Sequence, residues 1–208
     1  MSSITQAVTE IAPSISSFGA GGQMYMASIW GGFNLLYAQS IYPLFAFNMN
    51  DNNVPNAAQL TNLVEARKVG STMAFRADKL GVRVLWLDQE NAPTSATANN
   101  MRELLASAFL TLTVGSNETR VGEFSGMDFM QAIDVNTSDT TATAATASGL
   151  GGGTSWVKLQ VPIEIQQNVN IGGTVRFTRP VPAACQPSGD VPVCAFVVIL
   201  QGLKVVKS

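Results

Sequence analysis

Four carboxylates crowd one stretch of the sequence: Glu118, Glu123, Asp128 and Asp134. Glycoside hydrolysis needs two acids a few ångströms apart, one as acid and one as base or nucleophile. Spacing alone brings no two of these together, and acids on turns are ordinarily solvated, so they are read as surface charges. Met127 and Met130, beside Phe129, are read as core filler rather than metal ligands. The run GLGGGTS at 149–155 suggests a phosphate cradle, but that pattern needs a lysine ahead of the Ser/Thr, a strand before and a helix after. Here Gly153 precedes Thr154, and the run is read as a linker. Cys185 and Cys194 bracket the loop QPSGDVPV. They could close it as a disulfide, a restriction of the unfolded chain of about 2–3 kcal/mol in the entropy model, or stay buried thiols in a reducing cytosol. Both readings remain open. The triplets beginning at Asn117 and Asn136 match a glycosylation acceptor, and without a secretory signal they are given no weight.

Histidine is absent from all 208 residues. That removes Ser-His-Asp and Cys-His nucleophilic centres and imidazole zinc sites. No catalytic residue, metal or cofactor is therefore expected, and no enzymatic activity. The net charge of −2 supplies no basic field, and the lysines and arginines are scattered, so no specific nucleic-acid binding is expected. Charged residues make up 12% of the chain, about half of the ~25% usual in soluble domains. Hydrophobic residues make up 46%, and the mean hydropathy is +0.19. A chain this apolar folds rather than staying disordered, and its thinly charged surface is read as one covered by partners. The first residues lack the basic and apolar regions of a secretory signal, so synthesis in a cytoplasm without export by that route is expected.

The elements that carry these residues fall into two regions. From Ile11 to Asn50 there is no Asp, Glu, Lys or Arg, and the stretch is rich in aromatics. A membrane-spanning helix would need about 20 apolar residues. Gly31-Gly32, Asn34, Gln39, Ser40 and Pro43 interrupt this run, so membrane contact is possible but not favoured. The reading adopted is an extended arm, 1–56, that ends in the turn-rich NMNDNNVPN. Trp30, Phe33, Tyr37, Tyr42, Phe45 and Phe47 are its expected interface anchors, since aromatics dominate many interfaces. On this reading, deleting 11–50 leaves a folded domain that no longer assembles.

Residues 57–208 are expected to form a β-sandwich domain. Val82, Val84 and Trp86 alternate with Arg83, Leu85 and Leu87. NNMRELLASAF is the one short helix, with Asn99 or Asn100 as cap. It leads into a hairpin from Phe109 to Phe124 around Gly115-Ser116-Asn117. Residues 134–155 form a low-complexity flexible loop; a pore-forming stem would need alternating lipid-facing apolar residues, which are missing. Trp156 to Pro162 alternates, with Pro162 ending the strand or marking an edge. Gly172-Gly173 is read as a turn before a strand containing Phe177. The final run Cys194–Leu200, continuing past Gly202, is almost wholly apolar, as in a strand buried on both faces. Trp86, Phe109, Phe177 and Phe196 are the expected core anchors. The sum is an all-β, antiparallel sandwich or barrel of about eight strands.

The segments MAFRADKLGVRVLWLDQENAPTS, MRELLASAFLTLTVGSNETRVGEF, LQVPIEIQQNVNIGGTVRFTRP and CAFVVILQGLKVV together resemble jelly-roll virion structural proteins of bacteriophages and related icosahedral viruses. The resemblance covers about Leu60 to Ser208. It implies a single jelly roll acting as a capsid, penton or head-attached subunit, with copies of itself and other virion proteins as partners and the virion as its location. Arms in such proteins tie neighbours together and are often basic; this one is not, which weakens any expectation of genome contact. The competing reading is a carbohydrate- or receptor-binding sandwich of a tail or fibre, with Trp156 as one exposed platform.

Overall fold

The computed structural model describes residues 22–70, 73–87, 95–132, 155–183 and 193–207. Eight strands run in chain order: β1 (Gly22–Asn34), β2 (Ile41–Pro43), β3 (Met73–Trp86), β4 (Ala108–Val114), β5 (Thr119–Ser125), β6 (Ser155–Ile165), β7 (Ile171–Phe177) and β8 (Cys194–Lys207). They form two four-stranded sheets, β1-β8-β3-β6 (sheet A) and β2-β7-β4-β5 (sheet B). Every pairing is antiparallel.

The order carries a rule. Each strand of the first half neighbours its mirror in the second half: β1 with β8, β2 with β7, β3 with β6, β4 with β5. The chain is one long hairpin folded at the β4–β5 turn and rolled so that alternate pairs fall in opposite sheets. That is a jelly roll. The expected antiparallel sandwich of about eight strands is the observed architecture.

β8 explains why its sequence is almost continuously apolar. Cys194, Phe196, Val198 and Leu200 face sheet B in the main core, while Ala195, Val197 and Ile199 form a second cluster on the outside of sheet A with Leu60. β3 keeps one face inward along its 14 residues despite a register shift between Ala77 and Lys79. Phe75 and Ala77 point to the core before the shift, and Leu80, Val82 and Val84 after it.

Among the described residues two helices accompany the sheets: α1 (Ala57–Leu60) and α2 (Ser95–Ala106). α2 begins in what reads as a loop, so the expected caps Asn99 and Asn100 lie inside it. Its buried Ala98, Met101, Leu104 and Leu105 recur at helical spacing and join the main core together with Phe129 of the 3₁₀ segment Gly126–Ala132. Val114 and Thr119 close the β4–β5 hairpin as expected.

The arm is corrected for residues 22–47. β1 is 13 residues long and pairs with β8 from Gly22↔Lys207 to Asn34↔Ala195. β2 pairs with β7. Both are integral strands, one in each sheet, so the sandwich does not begin at 57. The two glycines that look like interruptions serve close packing: a Cβ on Gly31 would strike the ring of Phe45, and one on Gly32 the carbonyl of Phe196. Gly172 and Gly173 likewise lie inside β7 rather than in a turn, and a Cβ on Gly173 would meet the carbonyl of Thr111 on β4.

Candidate functional site

The predicted anchors separate into three groups. Phe33, Tyr42 and Phe45 are buried. Phe33 of β1 stacks on Tyr42 of β2, with ring centroids 4.3 Å apart, and on Phe196 of β8 at 5.9 Å. Phe177 of β7 meets Tyr42 and Phe196 edge-on at 5.8 and 5.5 Å. This four-ring cluster joins the two sheets, and each such pair adds about 0.5–1.5 kcal/mol beyond area burial. The Tyr42 hydroxyl donates to the Leu36 carbonyl and accepts from the Leu36 N–H, fixing the β1–β2 corner. The assignment of Phe33, Tyr42 and Phe45 to an interface is therefore corrected: they are interior rings. Phe177 and Phe196 stand where a core anchor should.

Trp30 and Phe47 form the second group. They pack, half-buried, against the outer cluster of Leu60, Ala195, Val197 and Ile199, together with Val54, Leu85 and Leu87. The chain between β2 and β3 thus folds back over the outside of sheet A. It also seals the edge of β1. The Trp30 N–H donates to Asn62 Oδ1, Asn62 Nδ2 donates to the Ser28 carbonyl, and the Thr61 hydroxyl donates to the Trp30 carbonyl. Side chains here take the place of a neighbouring strand.

Tyr37 is the third group, exposed on the β1–β2 corner, where Leu36 and Ile41 are exposed as well. Trp86 is half-buried against the main core. Phe109 is a correction: it is 48% exposed, because Ala108, Leu110 and Leu112 carry the inward face of β4. Cys194 is fully buried. Cys185 and the loop at 134–155, apart from the first residue of β6, lie outside the described residues.

Asp134 lies outside the described residues, and the described carboxylates Glu118 and Glu123 are held by different arginines. Glu118 pairs with Arg67 at 3.1 Å and Glu123 with Arg120 at 3.2 Å, both exposed. Among the described residues no group of three acids or cysteines could hold a metal ion, and no helix is long and apolar enough to cross a membrane.

Among the described residues, two concave surfaces lie at the open strand edges and on the outside of sheet A. One is a seam of about 330 Å³ between the edge strands β5 and β6, lined by Phe124, Val157 and Leu159 among others. Here β6 bulges: Lys158 is opposite Lys79 and Ile163 opposite Ala77, so 159–162 oppose Asp78 alone. Pro162 lies in that bulge, and Val161 is exposed. A bulge with a proline blunts an open edge against strand addition. The other is a groove of about 300 Å³ on the outer face of sheet A, between Trp30 and Trp156. Periodicity alone missed this groove, because it is assembled from four strands distant in sequence.

No protein-family model matches the chain, and no curated protein matches it. Among solved structures, the chain is similar to the acidic stable capsid structure of Helicobacter pylori bacteriophage KHP30, with 9% identity over 90% of this chain and 94% of that one and a TM-score of 0.29. It is also similar to PBCV-1 VP54, as fitted into a cryo-EM reconstruction of the virophage Sputnik, with 10% identity over 88% of this chain and a TM-score of 0.34. It spans 42% of the VP54 chain. At these scores the likeness adds nothing to the topology already described.

Proposed function

We propose that this protein is a structural subunit of a virion that assembles with copies of itself and with other virion proteins, and that it has no catalytic role. The jelly-roll strand order is compatible with this role but also hosts lectins and cupins, so fold alone does not decide it. The observation that carries the reading is a set of exposed apolar side chains at corners and edges of the sandwich. Leu36, Tyr37 and Ile41 crowd the β1–β2 corner, Met24 and Met26 the start of β1, and Val121 and Val161 the open edges. These exposed apolar groups, in a chain with 12% charged residues, mark surfaces for other proteins. A standard interface buries about 1,600 Å² in total.

The test is the native mass of the full chain by sedimentation, with and without Leu36→Ser and Ile41→Ser together. The wild type is expected as a symmetric assembly. The double variant is expected to keep its circular dichroism and thermal midpoint and to lose that assembly. A wild type that stays monomeric at high concentration overturns the reading.

A further inference from the structure

One row of residues crosses sheet A from edge to edge. Trp30 on β1 is in register with Ile199 on β8, Ile199 with Gly81 on β3, and Gly81 with Trp156 on β6. Residues in register share a face, so both indoles stand on the outside of the sheet, three strand spacings or about 14 Å apart. The floor between them is Ile199 and a glycine that has no side chain. Trp156 is 41% exposed, and Arg83 and Gln59 line the same groove.

The neighbouring row places Lys79 directly opposite Lys158. Two residues along a strand is about 6.7 Å. Like charges directly opposite across an antiparallel pair are destabilising. Both lysines are exposed, and among the described residues neither forms an ion pair. The chain has only 12 basic residues. It sets two of them side by side next to a row bearing two indoles, with Arg83 on the other flank.

We infer that this face binds single-stranded nucleic acid without sequence preference, its bases stacking on Trp156 and Trp30 and its phosphates meeting Lys79, Lys158 and Arg83. Aromatic side chains on a sheet face with flanking cations are how unpaired bases are held. The separation of the two rows suits the distance between a base and its phosphate. A single acidic sugar would use one cation; cations on both flanks suit a ligand whose charge repeats. The site lies within one subunit, so it stands or falls independently of assembly. It needs no sequence-specific contacts, because every base offers a face to stack.

The test is a fluorescence-anisotropy titration of the full chain with a labelled oligothymidylate, run in parallel with a sulfated oligosaccharide. Binding is expected at low salt, and log K should fall against log salt with a slope of about −2, the value for three phosphates on a single strand. Trp156→Ala should weaken binding about ten-fold or more. Lys79→Gln with Lys158→Gln should flatten the slope by about 1.4. All these positions are exposed or half-exposed, and circular dichroism of each variant confirms that it folds. No binding at low salt overturns the proposal. So does binding that ignores both Trp156→Ala and the lysine pair. Trp156-dependent binding of the sulfated oligosaccharide without binding of the oligothymidylate also overturns it, and assigns the groove to a glycan.

Discussion

The two faces of β8 are equally apolar in sequence and are finished in different ways. Phe196, Val198 and Leu200 are sealed by a whole second sheet. Among the described residues, Ala195, Val197 and Ile199 are sealed by the chain segment that carries Phe47, Val54 and the short helix α1 with Leu60, and the Trp30–Trp156 groove stays open beside it. The inner face is therefore where stability resides. The outer face has enough cover to fold and enough exposure to meet something else. Low charge in a sequence marks both kinds of surface and does not distinguish them.

The largest effect is expected from the segment first read as an arm. Deleting 22–47 removes β1 and β2, the partners of β8 and β7, and takes two of four rings from the inter-sheet cluster. The product is expected to be unfolded by near-ultraviolet circular dichroism. A folded, monomeric product would show that the inner face does not need these strands. Next in size is Phe196→Ala, a large-to-small change in a fully packed site, expected to cost about 3–5 kcal/mol in denaturant unfolding. Leu60→Ala tests the outer cover. Leu60 is fully buried. It ends the four-residue helix α1, whose single turn can shift into the space left, so its cost is expected at about 2 kcal/mol, the low end for such truncations. If Leu60→Ala costs as much as Phe196→Ala, the two faces are equivalent and the contrast fails.

Much of the sandwich was legible. The alternation of Val82 and Val84 against Arg83 and Leu85, the double-sided apolarity of β8, and the β4–β5 hairpin each state their own geometry. The first strand does not. On β1, Ile29 and Phe33 face inward while Met24, Met26 and Trp30 face out, so both faces are apolar and no two-residue period shows. Gly31 and Gly32 read as breaks because the reason for them, the ring of Phe45 and the carbonyl of Phe196, comes from elsewhere in the chain. The groove was hidden for the same reason. Trp30, Gly81, Trp156 and Ile199 span the length of the chain, and only strand order brings them into one row. Pairing between distant strands is set by the whole roll rather than by any local window.

Phe109 differs, because its position could have been read correctly. In the run Phe109-Leu110-Thr111-Leu112-Thr113, Phe109 shares its parity with two threonines, and the leucines take the other side. Size suggested an anchor, while parity indicated the solvent face, and parity prevailed. The smallest predicted effect follows. Phe109→Ser should change stability by no more than about 0.5 kcal/mol, as substitutions at exposed sites do. Leu110→Ser, one residue on and 3% exposed, should cost several kcal/mol by opening a cavity and burying a hydroxyl. Paired urea melts of the two variants measure the contrast between inner and outer faces within sheet B. A large loss from Phe109→Ser in the isolated subunit would mean that the outer face of sheet B is covered as well. A loss seen only in the assembled state would place Phe109 at a contact between subunits.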